Sequence, residues 1–243
     1  MNKVTVAAII IILAAFGGLI AFASLSSRDK TDYSKYDSRL IIEASDDNGN
    51  IADHVRGKED SKVVVIEYAD PQCPGCGSIM PKMHELYAEY GDRVAFVFRH
   101  YPLSYHQNAR AASAAAESAG KQGYFWEMLE MLYDNQSEWE EIVDTQKRTN
   151  TFAEYFDDIT NGKGNRDSFI SELSSASIQK KIDFDRNLGK NNDKVDATPS
   201  IFVNGTLANM DDDRPIQDVI EELINKELKA NGIETGPKAK SEE

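Results

Sequence analysis

Lys62-Val63-Val64-Val65-Ile66-Glu67-Tyr68-Ala69-Asp70-Pro71-Gln72-Cys73-Pro74-Gly75-Cys76 is the stretch that decides the fold. Val63 to Ile66 is an apolar, β-branched run, and Lys62 to Tyr68 around it reads as a buried strand. The only two cysteines of the chain follow it, three residues apart, and a helix-like pattern comes next. A strand feeding a Cys-x-x-Cys turn that opens a helix is a redox device. The first turn of a helix has unpaired N–H groups, which stabilise a thiolate on Cys73. Pro74 would stand at the first helical position, where a missing N–H costs nothing. The spacing predicts that the two sulfurs can meet in a disulfide.

Outward from this turn, Ile79, Met83, Leu86, Tyr87 and Tyr90 recur at helical spacing. They predict a helix from about Pro74 to Tyr90, kinked at Pro81 and stopped at Gly91. Arg93 to His100 reads as a second strand, so the segment is a βαβ unit with a parallel pair. From about Tyr105 to Asn192 the pattern is helical, with apolar stripes read as core faces rather than cofactor boxes. Strand signals return at Ser200 to Val203, and Asn204-Gly205 is a hairpin turn leading to Thr206 to Ala208. A last helix is expected over about Pro215 to Lys229.

The flanks are of another kind. Between Lys3 and Arg28 no charged residue occurs, and Val4 to Leu25 is long enough to cross a bilayer. Residues 1–27 are therefore expected to be a membrane anchor. A signal cleaved after Ala21-Phe22-Ala23 and a buried core helix are the competing readings. Residues 28–50, rich in Ser and Asp, read as a polar tether; 51–231 as the folded domain; 232–243 as a disordered tail. Asp46-Asp47-Asn48-Gly49-Asn50 lacks carboxylates where a calcium loop needs them and is better read as a turn. The net charge of −14 argues against nucleic acid as a partner. Flanking charges do not orient the anchor, but a lone cysteine pair suits an oxidising compartment. The expected location is the cell membrane, by a single N-terminal pass, with the domain outside the cytoplasm.

The three stretches Val65 to Cys76, Phe98-Arg99-His100-Tyr101-Pro102-Leu103 and Ala197-Thr198-Pro199-Ser200-Ile201-Phe202-Val203-Asn204-Gly205, in that order, resemble the DsbA family of extracytoplasmic thiol-disulfide oxidoreductases. The resemblance implies an α/β, thioredoxin-like fold (βαβ plus ββα) with an inserted helical domain at about 105–192. It places Pro199 where the family has a cis-proline facing the disulfide, although an ordinary trans proline at a strand start would read the same way. The Thr198 backbone would meet an extended substrate peptide beside Pro199, Pro74 and Gly75. Glu67 falls where the family often has an acid beneath the disulfide. A buried carboxyl there could exchange a proton with Cys76, unless its head reaches solvent.

The implied activity is disulfide introduction into exported proteins with free cysteines, through an exposed Cys73 sulfur and a more buried Cys76. A quinone-linked membrane reoxidant is the implied partner, and no metal or organic cofactor is required. Gly75 departs from strongly oxidising relatives, which carry histidine there, so an oxidant of intermediate strength is expected. Three alternatives remain open: a reductase or isomerase, a zinc module joining the cysteines to two of His54, His84, His100 and His106, and an interaction domain with a structural disulfide.

Overall fold

Residues 31–209 and 214–236 are described in the computed structural model. The chain divides into Met1–Asp32 and Tyr33–Glu243. Of the first unit only Thr31 and Asp32 are described, so the expected anchor lies outside the described residues, as do residues 237–243 of the expected tail. No helix among the described residues is long and apolar enough to cross a membrane.

The second unit is built on a five-stranded mixed sheet in the order β1-β3-β2-β4-β5. Its strands are β1 (His54–Gly57), β2 (Val64–Ala69), β3 (Ala95–His100), β4 (Ser200–Val203) and β5 (Thr206–Leu207). β2 and β3 are parallel and joined by helix α1 (Pro74–Tyr90), while β4 runs antiparallel to β2 and β1 antiparallel to β3. The six central residues of β2 and of β3 are all buried. This is why β2 reads as a continuous apolar run rather than an alternating one.

The two faces of β2 meet different cores. Val65 packs with Ile79, Met83 and Leu86 of α1 and with Val219, Ile220, Ile224 and Leu228 of the last helix, α8 (Ile216–Ala230). Val64, Ile66 and Tyr68 pack on the other face with Val97, Tyr101 and Phe202. Glu67 shares the α1 side with Val65 and Ala69, because side chains alternate along a strand. It stands beside Phe98 in register.

Between β3 and β4 six helices form the insertion: α2 (Ala109–Gly120), α3 (Phe125–Asp134), α4 (Gln136–Trp139), α5 (Thr145–Thr160), α6 (Arg166–Glu172) and α7 (Ala176–Leu188). The apolar faces of α2 to α6 join Ala69, Cys73, Cys76 and Phe98 in one core, while α7 packs through Ile178, Ile182, Phe184 and Leu188 in two smaller clusters. The helical domain therefore forms the back wall of the cysteine turn. α1 runs through Pro81 as one helix, and Gly91 follows it in right-handed conformation. There a Cβ would come within 2.5 Å of the Tyr87 carbonyl oxygen. The hairpin between β4 and β5 turns at Asn204 (φ 45°) and Gly205 (φ 83°), the positive pair that a two-residue turn requires.

Two boundaries differ from the sequence reading. The stretch 28–50 is not a tether from Tyr33 onward. Ile42 is buried against Phe184 and Leu188, with Tyr33 and Tyr36 packed on the same cluster. The reason is a buried cation: Arg99 on β3 donates to the carbonyls of Ser38 (2.6 Å) and Leu40 (2.7 Å). The segment's charged side chains Lys35, Asp37, Arg39 and Glu43 stay exposed, while its main-chain carbonyls bond the domain. Residues 232–236 are likewise tied down. Ile233 packs on the α8 core, and Arg93 donates to the carbonyls of Glu234 and Gly236.

Candidate active site

Cys73 is the N-cap of α1 and Pro74 its first residue. The Cys73 carbonyl accepts the Gly77 N–H at 3.1 Å, closing the first helical turn. Both cysteines are unbonded thiols in the structure. Their environments are opposite. The Cys76 thiol donates to Cys73, and with hydrogen bonds from the main chain at Cys76 and Gly75 it brings Cys73 down to about 5. Burial first, then the bond to Cys73 and the charges of Cys73 and Glu67, drive Cys76 far above the ordinary thiol range. One sulfur is thus a thiolate at neutral pH and the other holds its proton.

The Thr198–Pro199 peptide is cis. It lies directly over the turn: Cys73 Sγ is 3.5 Å from the Thr198 carbonyl oxygen. A Cβ at Gly75 would be 3.5 Å from Pro199 Cδ and 3.6 Å from Cys73 Sγ. Pro74, Gly75 and Ala197 are exposed around it, and Thr198 and Pro199 are half-buried. Cys73 itself departs from expectation: it is 8% exposed rather than open, against 0% for Cys76. The 197–199 loop folded over the turn accounts for this.

Glu67 is 2% exposed, and its Oε1 has no hydrogen-bond partner. Burial pushes its carboxyl up to about 8, so it is neutral at pH 7 and able to donate a proton. Of the two readings of Glu67 the buried one is found, on the same sheet face as the cysteines. The Tyr133 hydroxyl is buried and also unpaired, and burial raises it well above the ordinary phenol range.

The residues that set the turn include several not evident in the sequence. Asp70 accepts the N–H groups of Gln72 (2.8 Å) and Leu103 (2.9 Å) and bonds His106 Nδ1 (2.8 Å). Gln136 of α4 donates to the carbonyls of Pro71 (2.7 Å) and Cys73 (3.0 Å). Gln72 accepts the Asn108 N–H at 2.7 Å and donates to the Glu140 carbonyl at 2.9 Å. Asp70 and Gln72 at least lie within the motif stretch. Gln136 and Asn108 carry no local signal, because their partners are far away in sequence.

The four histidines are placed elsewhere. His54 and His100 bond opposite oxygens of Glu117 (3.0 and 2.9 Å), His84 lies 3.2 Å from Glu130, and His106 is held by Asp70. Among the described residues no group of three or more His, Cys, Asp or Glu is arranged to hold a metal.

A thiolate at a helix start, a buried partner thiol one turn on and a proline peptide over both define a thiol-disulfide oxidoreductase of the DsbA-like class. Residues 49–237 match the Thioredoxin_4 family model, described as thioredoxin, and the chain belongs to that family. It is similar to the oxidised crystal structure of BdbD from Bacillus subtilis, with TM-score 0.59 and 27% identity over 78% of this chain and 98% of that one. DsbA from Chlamydia trachomatis shares the fold at TM-score 0.60, with 15% identity over 74% of this chain and 91% of that one. A further likeness is to the Na(+)/H(+) antiporter NhaA 1 of Mycolicibacterium vanbaalenii, 33% identical over 156 residues. That match covers 63% of this chain and 23% of the antiporter, so the chain spans about a quarter of the length of the curated relatives it matches.

Proposed function

We propose that the protein introduces disulfides into exported proteins, outside the cytoplasm, and is held to the membrane by the apolar run Val4 to Leu25. The observation that carries the direction is the low pKa of Cys73, brought to about 5 chiefly by the Cys76 thiol. A stabilised thiolate favours the dithiol form and so makes the disulfide form an oxidant.

In the oxidised enzyme a substrate thiolate attacks Cys73 Sγ. The Cys73–Cys76 bond breaks, and its electron pair leaves on Cys76, whose thiolate takes a proton, with Glu67 as the nearby donor. A second substrate thiolate then attacks the substrate sulfur of the mixed disulfide. The substrate gains its disulfide and Cys73 departs as a stable thiolate. Two electrons have passed to the enzyme, and a quinone-linked membrane partner takes them away. No metal or organic cofactor enters these steps.

The test is the redox midpoint of the full chain in detergent, equilibrated in glutathione buffers. A midpoint well above about −270 mV, the thioredoxin value, supports the oxidant. A midpoint at that value assigns a reductase instead.

A further inference from the structure

Beside the cysteine turn, on the side of Asp70, lies a cavity of about 290 Å³ lined by Pro102, Leu103, Ser104, His106, Arg110 and Arg186. In a chain of net charge −14 its lining holds two guanidinium groups, an imidazole and a hydroxyl, and no carboxylate. Arg110 is held in place by Asp183 Oδ1 (2.7 Å) and by Gln179. It sits in the first turn of α2, whose N-terminal end carries partial positive charge. Arg186 differs. Its guanidinium lies 5.9 Å from the Tyr101 ring, and among the described residues no acceptor or carboxylate pairs with it. An arginine that stacks but has no anion keeps its fork of donors available. His106 gives Nδ1 to Asp70, which leaves Nε2 as its free nitrogen.

We propose that this cavity is a binding site for a phosphate-type dianion, either free phosphate or a phosphate monoester. Arg186 is the principal ligand, and Arg110 and Ser104 complete the donor set. The volume admits a phosphate with a small esterified group. Asp183 on α7 and Asp70 behind His106 are the facing acids; Asp183 bonds Arg110 and Asp70 bonds His106. Through His106 and Asp70 the site is two hydrogen bonds from the Gln72 main chain of the redox turn, although phosphate binding does not depend on the redox reading.

The experiment is calorimetric titration of the full chain in neutral detergent with inorganic phosphate, in chloride buffer at constant ionic strength. Glycerol phosphate forms a second arm. Saturable binding, weakened tenfold or more in R186Q and unchanged in R39Q, is the expected result. A tenfold preference for glycerol phosphate assigns the ligand to an ester, and the reverse preference to the free ion. Absence of saturable binding in both arms, or equal affinity in R186Q with an unchanged melting temperature, overturns the proposal. Phosphate heats reproduced by added chloride alone do the same.

Discussion

Cys73 and Cys76 differ in what surrounds them rather than in what they are. Cys73 takes hydrogen bonds from Cys76 and from the helix start, while Cys76 is fully buried beside a neutral carboxyl. For a depressed thiol the stabilisation is complete above its ordinary value and is lost as pH falls through about 5. The dithiol form is therefore expected to melt above the disulfide form at pH 7–8, and the gap to close towards pH 5. Thiolate absorbance near the ultraviolet edge should titrate with the same midpoint. C73S should abolish exchange in a thiol-oxidation assay and, by removing the thiolate, lower the melting temperature of the dithiol form at pH 7–8.

Glu67 has the opposite sign. Its raised pKa of about 8 means that its contribution to stability is fully present below the ordinary carboxyl value and is lost as pH rises through about 8. Within that window the loss is at most about 1.4 kcal/mol per pH unit. E67Q should flatten this slope in urea melts at pH 5 to 8 and slow the release of Cys76. In the disulfide form, where Cys73 does not titrate, a pH-independent wild-type stability over the same range would remove the buried-acid argument.

At the scale of elements, the cysteine turn is held from two sides. β2 and α1 bring it to the C-terminal end of the central strand, and the insertion then locks it through side-chain amides. Asn108 Nδ2 reaches the carbonyls of Trp139 (2.9 Å), Glu140 and Ile142 (both 3.0 Å). N108A removes these three bonds, although the Trp139 carbonyl keeps the Ile142 N–H and that of Glu140 keeps Gln72, and should cost about 1–3 kcal/mol, read as a lower urea midpoint. Gly75 belongs here as well. A side chain at this position meets Pro199 and Cys73 at ordinary contact distance, so G75H should fold. It should lower the Cys73 pKa further and raise the redox midpoint. An unchanged midpoint in G75H would show that the residue between the cysteines does not tune this site.

Across the whole molecule the unexpected feature is a buried ion cluster that joins the N-terminal segment, the sheet and the insertion. Asp53 bonds Arg99 (2.8 Å) through one oxygen and Lys181 (2.9 Å) through the other, and Lys181 also bonds Asp185 (2.8 Å). All four side chains are completely buried. Removing one partner leaves an unpaired buried charge, so D53A should cost about 3–5 kcal/mol. Deleting residues 31–50, the natural cut if they were a tether, would take the Ser38 and Leu40 carbonyls from Arg99. The truncated chain should unfold at distinctly lower urea than the full one.

The redox turn, the βαβ unit, the hairpin at Asn204-Gly205 and the long amphipathic helices were legible in the residues, because each rests on local chemistry: a strand period, a helix start, a positive-φ turn. β1 was not, since the four residues from His54 to Gly57 are only partly buried and lack a clear alternation. Nor was the role of residues 33–50, because a polar segment that bonds a buried arginine looks like one that bonds water. The same limit applies to Gln136 and Asn108. Order along the chain says which thiol begins a helix; only packing across distant segments brings a cis peptide over that thiol, encloses its partner and keeps a neighbouring carboxyl protonated. Desolvation and long-range hydrogen bonds depend on three-dimensional surroundings, and no window of sequence contains them.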